Sequence, residues 1–113
     1  MRYFRLEEFD CKETGENNMD SKFLYKLDEL RDRCGFPFKI TSGYRSPTHS
    51  IEKAKQTPGK HAEGIAADIY TANSNQRYLI VKYATELGFG GVGIAGNFVH
   101  VDTRKTTPVI WTY

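Results

Sequence analysis

The chain reads as a small single α+β domain over residues 1–113, with a central antiparallel sheet and helices packed on it. Three observations predict this. Two stretches, 20–34 and 74–87, place apolar residues at helical spacing. Short runs rich in β-branched and aromatic residues lie between glycine and proline breaks. Helices and strands do not alternate strictly, and the last two strands read as a hairpin, which argues against a parallel βαβ sheet. The length of 113 residues also falls below the roughly 150 at which chains begin to divide into domains.

Between Asp20 and Cys34, the residues Phe23, Leu24, Leu27, Leu30 and Cys34 form one helical stripe, with Asn18 or Asp20 as cap and Gly35 as stop. After Pro37, Phe38-Lys39-Ile40-Thr41 alternates like a strand and runs into Ser42-Gly43-Tyr44. Pro47 suits a first helical position and starts a short helix through about Ala54, which Pro58-Gly59 breaks. Ile65 to Thr71 reads as a second strand with Ile65, Ala67 and Ile69 on one face. Asn73 or Ser74 caps a second long helix whose buried stripe is Ile80, Val81, Ala84 and Leu87, ending at Gly88. Gly90 to Ile94 and Asn97 to Thr103 complete a glycine-rich hairpin.

A net charge of +2 is too small to argue for nucleic acid, and the basic residues are interleaved with acids, as in Lys26-Leu27-Asp28-Glu29-Leu30-Arg31-Asp32-Arg33. Aromatics interleave with cations around Arg77-Tyr78 and Lys82-Tyr83, a spacing that an amphipathic helix gives equally well. No apolar run approaches the roughly 20 residues of a membrane-spanning helix. Met1-Arg2-Tyr3-Phe4-Arg5, followed by Glu7 and Glu8, lacks the apolar centre of a signal peptide. The expectation is therefore a protein with neither nucleic acid nor membrane as partner and with no export signal of its own. Cys11 and Cys34 are too few for a disulfide scaffold and lack zinc-knuckle spacing, so both are expected as reduced core residues.

Three segments carry candidate chemistry. In His61-Ala62-Glu63-Gly64-Ile65-Ala66-Ala67-Asp68, an imidazole stands just before a strand and a carboxylate inside it. Asp68 lies among alanines and Ile69, where an unpaired charge is costly to bury, so it needs a cation, a metal or several hydrogen-bond donors. A structural salt bridge and a metal site both satisfy that need. In Phe98-Val99-His100-Val101-Asp102, alternation sends the valines to one face and Phe98, His100 and Asp102 to the other. Alone, His100 also reads as a partly buried strand histidine. If its strand pairs near the one carrying Asp68, then His61, Asp68 and His100 converge, a ligand set suited to catalytic Zn²⁺ with a fourth position open. Arg45 follows a strand beside Gly43. Its planar fork suits a peptide's terminal carboxylate or the oxyanion of an attacked carbonyl, though a plain surface arginine fits the same position.

Together these segments resemble the zinc peptidases of the M15 family, in particular the D-Ala-D-Ala carboxypeptidase-like branch of bacteria and phages. The resemblance runs from Tyr3-Phe4-Arg5-Leu6-Glu7-Glu8-Phe9-Asp10-Cys11 through Ser42-Gly43-Tyr44-Arg45-Ser46-Pro47-Thr48-His49. It continues at His61 to Ile69 and at Phe98 to Arg104, and ends at Trp111. It implies the fold shared with D-Ala-D-Ala dipeptidases and the hedgehog signalling domain. It also implies His61, Asp68 and His100 as zinc ligands and Arg45 as the residue that handles substrate carboxylate or carbonyl. The implied activity is that of a peptidoglycan peptidase, a D,D-carboxypeptidase or endopeptidase on cell-wall stem peptides, with a zinc-activated water attacking the amide. A phage-type, endolysin-like enzyme, or one delivered by other components, is the implied setting.

One departure from that family matters. Related enzymes carry a general base two or three residues before the last ligand, where this chain has Phe98 and Asn97. The nearest substitute is Asp102, on the face of His100 and about 7 Å along the strand, either as base or as a partner orienting an imidazole. His49 and Glu63 are weaker candidates. Gly59 stands where many relatives have serine, so one hydrogen bond behind the ligands is expected to be missing. Trp111 is expected to close the core rather than line the cleft. The missing base keeps a second reading open, a non-catalytic zinc-containing wall-binding or virion module.

Overall fold

A computed structural model describes residues 1–55 and 59–113. Helix α1, Ser21–Cys34, begins where the Phe23 amide donates to Asp20 at 2.9 Å and ends at Gly35, whose left-handed φ of 75° favours glycine. Its expected stripe of Phe23, Leu24, Leu27, Leu30 and Cys34 is buried. Asp28 is buried as well, accepting from the amides of Arg2 and Tyr3 and from Arg2 Nε at 2.9 Å, which ties the N-terminal segment to α1.

Strand β1 is Ile40–Ser42 rather than 38–41, because its ladder begins only at Ile40, opposite Ile69, and shifts register before Ser42. Helix α2 is also shorter than expected, Ser50–Lys53. Pro47 lies in the preceding turn, closed by the His49 amide on the Ser46 carbonyl at 2.8 Å, and His49 caps the helix. The break expected at Pro58 falls outside the described residues. Strand β2, Ala66–Tyr70, leads to helix α3, Ser74–Glu86, capped by Asn73. Ile80 and Ala84 of its stripe are fully buried, whereas Val81 and Leu87 pack at the core's edge.

Strands β3 (Gly91–Ile94), β4 (Phe98–Asp102) and β5 (Val109–Thr112) complete a sheet of order β1-β2-β4-β3-β5. The expected hairpin of β3 and β4 is present. The sheet is mixed, however, not wholly antiparallel, because β5 runs parallel to β3. Strand β4 ends beside the start of β3. Residues 103–108 need only round that end of the sheet to lay β5 along the far edge of β3 in the same direction. The class is α+β, as expected, but β5 is not among the strands the sequence predicts.

Alternation sorts the sheet into two faces. Ala67 and Ile69 lie opposite Val101 and Val99, with Val92 beside Val101, and α1 and α3 cover them with Leu27, Leu30, Ile80 and Ala84. Each fully buried aliphatic side chain contributes about 1.5–3 kcal/mol, so this face holds the fold together. Asp68, His100 and Asp102 occupy the other face. Cys11 and Cys34 are both free and buried, as expected. No helix among the described residues is long and apolar enough to cross a membrane.

Candidate metal centre

The pairing of β2 with β4 sets Asp68 directly opposite His100. His61 arrives from the turn that precedes β2. Its Nδ1 lies 2.8 Å from the Gly43 carbonyl oxygen, and its own carbonyl accepts from the Arg45 amide at 3.2 Å. Those two bonds stitch the turn holding His61 to the loop holding Arg45. As a result, Asp68 Oδ1 lies 3.3 Å from His61 Nε2 and 3.1 Å from His100 Nδ1. One ligand atom from each residue falls within 4.8 Å of the others, and all three residues are buried. The convergence inferred from strand alternation is present.

The protons identify what this cluster accepts. A carbonyl oxygen only accepts hydrogen bonds, so His61 Nδ1 carries a proton, and in the neutral ring the Nε2 lone pair faces Asp68. A lone pair facing a carboxylate oxygen repels it unless a cation lies between them. Two imidazoles and a carboxylate, nearly dry and aimed at one point, fit a divalent transition-metal ion. With no ion between them, protons on the two rings take its place: burial raises the Asp68 carboxyl, but hydrogen bonds from His100 and His61 outweigh it and hold the group well below the usual carboxylate range. Burial depresses the His100 imidazole, and contacts with Asp102 and Asp68 reverse that, leaving its pKa raised.

Asp102 stands behind His100 rather than in the cleft. Its Oδ2 is 2.7 Å from His100 Nε2 and 2.7 Å from Arg104 Nη2, and its Oδ1 accepts from Arg104 Nε at 2.9 Å. The side chain is wholly buried. Burial raises its carboxyl, but Arg104 and then His100 outweigh this and hold it well below the usual range. Of the two roles the sequence leaves open, a base that reaches substrate needs an access this carboxylate lacks. His49 and Glu63 also point elsewhere: His49 Nε2 faces Glu13 at 3.2 Å, and Glu63 pairs with Lys60 at 3.0 Å.

Arg45 does enter the site, with Nη2 3.7 Å from Asp68 Oδ2 and Nη1 3.6 Å from Glu52 Oε2. Glu52 is a residue that sequence reasoning missed. Its buried carboxylate also accepts from the Gly59 amide at 2.7 Å and from Lys55 Nζ at 3.0 Å. It therefore anchors Arg45 and the approach to His61 together. The Gly59 amide is thus hydrogen-bonded, although the position lacks the serine hydroxyl of many relatives.

A cleft of about 390 Å³ opens over the cluster, lined by Arg45, Phe98, Trp111 and Tyr113 among others. Trp111 is a correction: it lines the cleft instead of closing the core, its ring 5.1 Å from that of His100 and beneath the Arg104 guanidinium. Glycine makes this possible. A Cβ at Gly93, the residue beside both His100 and Trp111, would lie 2.6 Å from the indole, and one at Gly91 would strike the Asp102 carboxylate. Phe98 lines the cleft at one of the positions where the resemblance leads one to expect a base, and among the described residues Asp68 is the only carboxylate in its lining.

The family model for Peptidase M15 matches residues 2–102, which spans the three clustered ligands, Arg45 and Asp102 but stops short of β5. No curated protein matches the chain. With the metal-ready cluster and a match over most of its length, the chain belongs to the peptidase M15 family and is a metallopeptidase.

Proposed function

We propose that this metallopeptidase is a zinc-dependent peptidoglycan peptidase, a D,D-carboxypeptidase or endopeptidase acting on cell-wall stem peptides. The observation that carries the reading is the convergence of His61, Asp68 and His100 on one point of a cleft that Arg45 also enters. Those three residues would hold the ion. A bound Zn²⁺ supplies Lewis acidity toward an amide carbonyl and brings the pKa of water toward neutrality.

The chain's own residues do the rest. Arg45 offers two donors of its fork to the substrate's terminal carboxylate, or to the oxyanion that forms at the attacked carbonyl. Asp102 keeps a proton on His100 Nε2, which orients the ring and leaves the Nδ1 lone pair for the ion. Trp111 and Tyr113 shield one side of the cleft from water and offer apolar surface to the substrate. The D-Ala-D-Ala carboxypeptidase-like specificity is supported by Arg45, whose fork matches a free terminal carboxylate.

Digestion of purified muropeptides, read by mass spectrometry beside the zinc content of the protein, tests this. One zinc per chain is expected, with release of D-alanine or cleaved stems, and both are lost in His61→Ala. Turnover that survives in a zinc-free His61→Ala variant ends the reading. The scarcity of carboxylates in the cleft favours a second reading, a non-catalytic zinc-containing wall-binding or virion module. Full zinc occupancy and tight muropeptide binding without turnover in the same digestion support that reading instead.

A further inference from the structure

We infer that a second groove, joined to the metal cleft, binds a carboxylate-bearing peptide segment flanking the bond to be cut. The groove encloses about 690 Å³ between the start of α1 and the segment after β4. Its cations are Lys22 and Lys26 from α1, Lys60 from the turn before β2, and Arg104 and Lys105 beyond β4. Its acids are Asp20 and Glu63, and both are committed. Asp20 caps α1 through the Phe23 amide, and Glu63 pairs with Lys60 at 3.0 Å. Arg104 is held by Asp102. Lys22 and Lys105 are exposed and lie outside any ion pair among the described residues.

The groove has a direction as well as a sign. Lys60 and Arg104 line both it and the metal cleft, so an extended chain leaving the cleft passes between them. The rest of the lining includes Phe23 and Ile65 together with Thr103 and Thr106. Helix α1 starts at the rim, and the positive end of its dipole adds to the lysines. Two unpaired ammonium groups in that lining select a peptide with free carboxylates over a neutral or basic one. The inference rests on the peptidase reading only for what fills the cleft, since binding in the groove needs neither metal nor turnover.

Fluorescence anisotropy with labelled tri-glutamate, and tri-glutamine as control, tests this on the full chain. Tri-glutamate is expected to bind more tightly than tri-glutamine, to weaken in ~0.5 M salt, and to keep binding after chelation of metal. The double variant Lys22→Glu/Lys105→Glu is expected to lose about tenfold in affinity, and Lys22→Gln/Lys105→Gln less, with unchanged melting curves. Equal binding of the two peptides, or undiminished binding by a folded double variant, overturns the inference. Muropeptides left intact while tri-glutamate binding depends on both lysines remove the peptidase reading and leave the groove. Turnover without any preference for tri-glutamate removes the groove alone.

Discussion

His100 Nε2 and Asp102 Oδ2 lie 2.7 Å apart on one face of β4, so the ring that faces the metal point is gripped from behind by its own strand. Asp102→Asn weakens that grip without emptying the space. Zinc affinity is expected to fall about 10–100-fold in a chelator competition, with turnover restored by excess zinc. Turnover that stays lost at saturating zinc assigns Asp102 the proton-accepting role.

Arg45→Ala is expected to lower kcat/KM by about 100- to 1000-fold, the scale of one lost oxyanion donor. Zinc content, measured by metal analysis, stays at the wild-type level. Arg45→Lys does not restore the rate, because an ammonium cannot present two parallel donors. An unchanged kcat/KM in Arg45→Ala would place this arginine outside the reaction.

Gly93→Ala places a methyl group against the Trp111 indole, 2.6 Å from its nearest atom. The expected cost is about 1–3 kcal/mol of stability, seen as a lower Tm. Trp111 is the only tryptophan of the chain, so a shift in its emission reports the displaced ring directly.

Stability should fall at both ends of the pH scale, for opposite reasons. Burial raises the Asp28 carboxyl, but the Arg2 side chain and the amides of Tyr3 and Arg2 outweigh it, so the folded pKa lies below the ordinary value. The contribution of Asp28 is therefore complete above about pH 4 and is lost as pH falls through the lower folded pKa. Burial instead pushes the Cys34 thiol up to about 12. The unfolded thiol ionises near pH ~8.5, so stability falls from there upward until the folded thiol also ionises. Urea melts across pH are expected to show Asp28→Asn losing stability above about pH 4 and Cys34→Ala lacking part of the alkaline decline.

Legibility of the site from sequence depended on how each residue departs from its surroundings. Asp68 among alanines and His100 between valines each break a local pattern, which is why both were readable. Their register follows from burial of Ala67, Ile69, Val99 and Val101, because a one-residue slip would turn the valines outward. Glu52 had no such signal: in Ser50-Ile51-Glu52-Lys53 the isoleucine is exposed and the glutamate buried, the reverse of what composition suggests. The run Val109-Ile110-Trp111-Thr112 does have a strand's composition. Its parallel partner, and hence the place of Trp111 over the site, depends on where β4 ends, which no local pattern records.

The order of the strands gives the cleft two walls of unequal firmness. Asp68 and His100 sit on β2 and β4, each bonded to a neighbour on both sides, whereas β5 is bonded to β3 alone and exposes Val109 and Ile110. An edge strand opens locally at less cost than an inner one, so the amide hydrogens of β5 should exchange ahead of those in β2 and β4. A substrate too bulky for the resting cleft can then be admitted by breathing of the Trp111 wall while the coordinating atoms keep their places.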